Sequence, residues 1–136
     1  MASANVRWVS GKQFIGTDST KHSVVISTPD EGVGMKPSDL LLVALAACTA
    51  VDVVDILAKK RTPLSSLEIQ TSAVQDSDAP WTFRKFHLNY LVKGKNLTEK
   101  SVKQVIELAE EKYCSVAATV RATAEITFEY QILPED

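Results

Sequence analysis

Only two cysteines occur in this sequence, Cys48 and Cys114, and only two histidines, His22 and His87. Neither C-x-x-C nor H-x-x-x-H spacing is present, so these four residues form no recognisable zinc pattern and no metal is expected. Basic charge is not in excess: the net charge is −2, which excludes a non-specific nucleic-acid binder. The one basic run, Lys59-Lys60-Arg61, falls at an expected helix end, where it complements the helix dipole. The stretch from Met1 to Val6 has no basic region followed by an apolar one, so no secretory signal is read and a cytoplasmic location is expected. The longest apolar run, Leu40 to Val51, falls short of the roughly 20 residues that span a bilayer, and Asp52 and Asp55 follow it, so no membrane partner is expected. Gly32-Val33-Gly34 lacks the third glycine and the strand-to-helix setting of a phosphate loop. Internal repeats and low-complexity segments are also missing.

What is present is an ordinary globular composition. The 136 residues are 45% hydrophobic and 24% charged, which predicts a single domain over 1–136 with a real core. Short strand candidates at Val6–Val9, Gln13–Ile15 and His22–Ser27 predict a β-meander over about 5–28. Pro37-Ser38-Asp39 opens a long helix, about 37–61, that ends before Pro63. Its first three turns are apolar on every face, so burial on all sides is expected. A chain this small has difficulty surrounding such a helix alone, so a homodimer is expected. Leu67–Val74 alternates as a strand, and Trp81–Val92 is its hairpin partner, within about 66–93. Thr98 caps a second helix with Val102, Val105, Ile106 and Ala109 on one face. Ser115–Val120 is ambiguous, and Ala122–Ile132 reads as a last strand, so the segment about 98–133 completes an α+β chain.

The chemistry of interest belongs to the thiols. In the cytoplasm structural disulfides are rare, and a cysteine pair is more often catalytic or redox-active. The bland alternative is that both are small buried hydrophobes. A peroxide-reducing cysteine attacks as the thiolate, giving a sulfenic acid that a second thiol condenses to a disulfide. Cys48 lies mid-helix, out of reach of the N-terminal dipole, and burial alone would raise its pKa, so activation calls for a nearby cation. Arg7, Arg61, Arg84 and Arg121 are the candidates. Cys114 precedes a short helical turn whose amides would lower its pKa, so the residues alone leave open which thiol attacks first. His22 and His87 read as turn and strand residues, and Asp52, Asp55 and Lys59 as a solvated helix face.

Pro37-Ser38-Asp39-Leu40-Leu41-Leu42 followed by Ala44-Leu45-Ala46-Ala47-Cys48-Thr49-Ala50 resembles the hallmark helix of the OsmC/Ohr superfamily. Tyr113-Cys114-Ser115-Val116 with Thr119-Val120-Arg121 resembles its second cysteine segment, and the order of elements matches over nearly the whole chain. The resemblance implies an OsmC-like α+β fold, with antiparallel sheets packed around two main helices and the cysteine helix buried in an intertwined homodimer. It implies a thiol-dependent peroxidase acting on organic hydroperoxides in oxidative-stress defence, with no cofactor. Cys48 matches the peroxidatic cysteine and Cys114 the resolving one. Electrons would come from an external dithiol or a lipoylated protein. In the Ohr branch a glutamate follows the proline of the helix start and pairs with an N-terminal arginine, whereas Ser38 follows Pro37 here. The loop Gly16–His22 holds no arginine; Lys21 is its nearest cation, leaving Arg7, Lys21 and Arg121 as the possible activating cations. The alternative implied by these departures is a dimeric binding or redox-sensing module for a small apolar ligand, with little or no peroxidase activity.

Overall fold

The computed structural model describes residues 2–135. They divide into two compact units, the boundary falling between Leu41 and Leu42.

The first unit is the expected meander. Strands β1 (Ala4–Ser10), β2 (Gln13–Asp18) and β3 (Ser23–Ser27) pair antiparallel in the order β1-β2-β3. Gly11, at φ 51°, makes the tight turn between the first two. His22 precedes β3 rather than opening it. The chain then doubles back: Met35 N–H donates to Val25 O at 2.9 Å and Ser27 N–H to Met35 O at 3.1 Å. Gly34 permits that approach, because a Cβ there would stand 2.6 Å from the Val25 carbonyl.

The second unit carries the core. Helix α1 (Asp39–Lys59) begins after a turn at Pro37-Ser38 and ends as expected before Pro63. Its end is a Schellman turn: Arg61 takes φ 63°, Thr62 N–H donates to Leu57 O and Arg61 N–H to Ala58 O, each at 3.0 Å. Within one chain α1 buries a single stripe, Leu45, Thr49, Val53 and Leu57, and not every face as its composition suggested. Val43, Val51 and Val54 are left exposed. At 21 residues α1 is long and apolar enough to cross a membrane, which the shorter apolar run did not foreshadow. Its stripe is nevertheless packed into this unit's hydrophobic core.

Strands β4 (Leu64–Gln75) and β5 (Phe83–Gly94) form the expected antiparallel hairpin. Alternation on β5 puts Phe86, Leu88, Tyr90 and Val92 in the core. Helix α2 (Glu99–Leu108) starts where expected, with the Thr98 hydroxyl accepting from Ser101 N–H at 3.1 Å. A π-turn at Ala109–Tyr113 follows, then a short helix, α3 (Ser115–Arg121), which resolves the ambiguous segment. Strand β6 (Glu125–Ile132) pairs with β5 in parallel, giving the order β4-β5-β6. The expectation of purely antiparallel sheets is therefore corrected, and the two main helices are joined by a third, short one. The physical reason is the connection: the chain leaves β5, crosses through α2 and α3, and re-enters at the end from which β5 started. Such a crossover makes a parallel pair, as a tight turn cannot.

Candidate dithiol site

Cys48 and Cys114 both belong to the second unit, and both are free thiols. Cys48 is half-buried, one residue before Thr49 of the α1 stripe. Cys114 is delivered by the π-turn. Its N–H donates to Ala109 O at 2.9 Å, the long-range bond that defines the wider turn. Its backbone leaves the helix at φ −87°, ψ 109°, and its sulfur becomes the N-cap of α3, accepting from Ala117 N–H at 3.2 Å.

That amide bond favours the thiolate, as the sequence suggested, yet the outcome is reversed. Cys114 is 3% exposed, and burial pushes its thiol up to about 11. The neighbouring Cys48 side chain raises it further, against the smaller lowering by the Ala117 amide. Desolvation thus outweighs the cap. The tertiary structure has brought together two sulfurs that lie far apart in sequence.

The candidate cations belong to the first unit or have partners of their own within the second. Arg7 is on β1, in register with Ile15, and Lys21 is in the β2–β3 turn at φ 68°; both belong to the first unit. Arg84 clamps Asp76 through Nε at 3.1 Å and Nη2 at 2.9 Å. Arg61 ends the α1 turn. Arg121, the last residue of α3, donates from Nη2 to the Glu110 backbone carbonyl at 3.2 Å. His22 Nδ1 meets Thr20 Oγ1 at 2.8 Å; His87 meets Thr127 Oγ1 at 2.7 Å and Glu129 Oε1 at 3.2 Å. Among the described residues no three His, Cys, Asp or Glu side chains are grouped as metal ligands.

Three buried polar groups next to the thiols were not among the residues expected from sequence. Tyr90 Oη lies 2.6 Å from Glu110 Oε2 and 3.1 Å from Thr49 Oγ1. Thr49 Oγ1 in turn donates to Ala46 O at 3.0 Å. The Tyr90 ring sits edge-on to Phe128, with centroids 6.2 Å apart. Burial, then the Glu110 charge, raise the Tyr90 phenol far above its ordinary value, and Cys114 adds to the effect. Glu110 is 4% exposed; burial raises its pKa, while the Tyr90 hydrogen bond and the Arg121 charge lower it. A signal existed for both partners. Glu110 continues the i, i+4 series Val102, Ile106, and Thr49 sits between Leu45 and Val53 at the same spacing.

Comparison with known proteins agrees with this architecture. The family model described as OsmC-like protein matches residues 28–129. Protein YhfA of Escherichia coli (strain K12), whose name states no activity, is 31% identical over 96% of this chain and 97% of its own length. Among solved structures, an OsmC-like protein from Mycoplasma pneumoniae superposes with a TM-score of 0.85 at 13% identity, covering 98% of each chain. The organic hydroperoxide resistance protein OhrB of Bacillus subtilis superposes at 0.65 with 18% identity, covering 96% of this chain and 98% of its own. At those identities the two structures speak for the fold alone.

Proposed function

This chain belongs to the OsmC-like family, and from that premise we propose that it is a thiol-dependent peroxidase that reduces organic hydroperoxides in oxidative-stress defence. The observation that carries this reading is the juxtaposition of two free thiols in unlike settings. Cys48 is half-buried; Cys114 is buried and held protonated by desolvation, its pKa pushed up to about 11. Unlike settings suit unlike roles. Cys48 as thiolate attacks one peroxide oxygen; the S–O bond forms, the O–O bond breaks, and the departing alkoxide takes up a proton to leave as the alcohol. Cys114 then attacks the sulfenic sulfur. The S–S bond forms, and hydroxide leaves as water with the proton that Cys114 gives up.

An external dithiol or a lipoylated protein returns the disulfide to the dithiol by exchange. No cofactor is required for these steps. The apolar walls of the core around Cys48 favour an organic peroxide over hydrogen peroxide. A second copy of the chain is the partner that best accounts for the apolar surface left open: Val43, Val51 and Val54 on α1, and Val6, Trp8 and Val25 on the first sheet. The cytoplasm is the compartment in which such a dithiol stays reduced.

One observation favours a second reading. Arg121 is hydrogen-bonded to the Glu110 backbone carbonyl, and Ser38 follows Pro37 where the Ohr branch carries its glutamate. This is the setting of a redox-sensing or apolar-ligand module that turns over little.

The test is mass spectrometry of the fully reduced chain after stoichiometric tert-butyl or cumene hydroperoxide, with hydrogen peroxide in parallel. Rapid loss of two hydrogens with a Cys48–Cys114 linked peptide, faster for the organic peroxide, is the expected result. Cys48→Ser abolishes peroxide consumption, and Cys114→Ser stops after one turnover with Cys48 as the sulfenic or over-oxidised acid. An inactive Cys114→Ser beside an active Cys48→Ser reverses the roles. Unchanged thiols after many equivalents replace the peroxidase with the binding module.

A further inference from the structure

The hydrogen bonds around Tyr90 do not close unless one more proton is present. Three contacts lie in series: Glu110 Oε2 to Tyr90 Oη at 2.6 Å, Tyr90 Oη to Thr49 Oγ1 at 3.1 Å, and Thr49 Oγ1 to Ala46 O at 3.0 Å. Each hydroxyl owns one proton, and a carbonyl only accepts. With Glu110 ionised, two protons serve three contacts, so one pair of oxygens faces lone pair to lone pair. With Glu110 protonated, every contact is filled in one direction, Glu110 to Tyr90 to Thr49 to the Ala46 carbonyl.

We propose that Glu110 is carried as the neutral carboxylic acid and is a positioning residue of the dithiol site, its proton completing the chain that ties the helix turn bearing Cys48 to the turn presenting Cys114. The three members come from three elements. Thr49 follows Cys48 on α1, Tyr90 is on the central strand β5, and Glu110 is on the π-turn, four residues before Cys114. The chain therefore spans both thiol-bearing segments. Its neighbour among the thiols is Cys114, whose thiolate, when formed, raises the Tyr90 phenol further.

The charged surroundings permit the neutral form. Among the described residues no ion pair reaches the Glu110 carboxyl group, and Arg121 Nη2 donates to the Glu110 backbone carbonyl instead. The Tyr90 hydrogen bond, Arg121 on α3 and His87 on β5 favour ionisation of Glu110, and Glu111 on the π-turn opposes it. Burial is larger than any of these and favours the neutral acid. Ionisation would leave a buried charge and open one link of a chain whose members reinforce one another.

The assignment of Glu110 stands independently of peroxidase activity, so the test uses diamide rather than peroxide. Diamide adds to one thiol, and the second thiol displaces the reduced hydrazine to close the disulfide; no peroxide chemistry is involved. First, the infrared difference spectrum between the unaltered chain and Glu110→Gln at neutral pH should show loss of a protonated carboxyl C=O band. Loss of a carboxylate band instead overturns the proposal. Should Glu110→Gln not fold, carboxyl 13C NMR of the unaltered reduced chain decides. One glutamate that stays protonated through neutral pH supports the assignment, and none overturns it. Second, the rate of diamide-driven Cys48–Cys114 closure in Glu110→Gln, whose amide still donates to Tyr90, is compared with that of the unaltered chain across pH. The ratio of the two rates should climb with pH, as ionisation opens the chain only where Glu110 remains. A ratio that does not change with pH assigns Glu110 a merely structural part and overturns the positioning role. Tyr90→Phe, which removes both contacts made by Tyr90 Oη, should slow closure by about tenfold or more at neutral pH, and by less at the pH where Glu110 ionises and has already opened the chain; an unchanged rate at neutral pH would sink the proposal as well.

Discussion

The two units of this chain use apolar residues in opposite ways. In the first, Ile26 and Ser27 are the buried positions, every residue of β1 is exposed, and Val6, Trp8 and Val25 are open to solvent. In the second, β5 alone seats four side chains in the core, and α1, α2 and α3 each add to it. Similar β-branched sequences thus form one sheet that is paired but uncovered and another that is covered. Hydrogen-bond pairing alone satisfies the backbone, but free energy from desolvation accrues only where a second layer lies on the sheet. Cys114 and the buried acid lie in the covered unit, where desolvation is large enough to move their proton equilibria.

The largest expected effect is on the core of the second unit. Phe86→Ala should cost about 3–5 kcal/mol of unfolding free energy, by the combined loss of burial and creation of a cavity. Chemical denaturation measures it. A cost like that of a surface change would mean the covered unit is not the stable one.

The pH dependence of stability sharpens the same contrast. Glu110 is the raised carboxylate, so the folded chain holds its proton more tightly than the unfolded chain. Its stabilising contribution is complete below the ordinary glutamate value and is lost as pH rises from there through the folded value. The exposed carboxylates of the first unit run the other way. Asp18, held low chiefly by the His22 N–H, and Glu31, held low chiefly by Gln13, favour folding above their ordinary values and lose that as pH falls. Denaturation midpoints of Glu110→Gln against the unaltered chain should diverge on the alkaline side of the ordinary carboxylate range. Parallel curves would mean that Glu110 titrates as it does when unfolded.

Local devices come next. Thr98→Ala removes the hydroxyl that accepts from Ser101 N–H and should cost about 1 kcal/mol. Helix-specific hydrogen exchange at the start of α2 reads it out. The smallest effect is expected in the first sheet. Val25→Thr keeps the branched side chain, and at 49% exposure it should move stability by no more than about 0.5 kcal/mol in dilute protein. If the cost instead grows with protein concentration, a second copy covers that sheet, and the contrast between the units belongs to the isolated chain only.

Much of the fold was legible. The period-2 pattern of Phe86, Leu88, Tyr90 and Val92 marks the inner face of β5, and Thr98 marks the start of α2. Both depend on neighbours within a few residues. The parallel pairing of β6 was not legible, because a strand's own pattern does not say which end of the sheet the chain re-enters. The π-turn was hidden in Ala109-Glu110-Glu111-Lys112-Tyr113, which continues a charged helix by composition. Along it Glu110 is buried and Tyr113 exposed.

The candidate site divides along the same line. Residue order alone marks the two thiols, the apolar helix around Cys48, the cap position of Cys114, and the motifs that resemble the family. It also carried the Thr49 and Glu110 positions within apolar series, although their meaning was not evident there. It takes the folded chain to make the thiols neighbours, to raise Cys114 to about 11 despite its cap, and to join Thr49 to Glu110 through Tyr90. Capping and periodicity are short-range interactions written in adjacent residues. Desolvation and proton sharing depend on which groups exclude water from one another, and those groups come from α1, β5 and the π-turn only once the chain has folded.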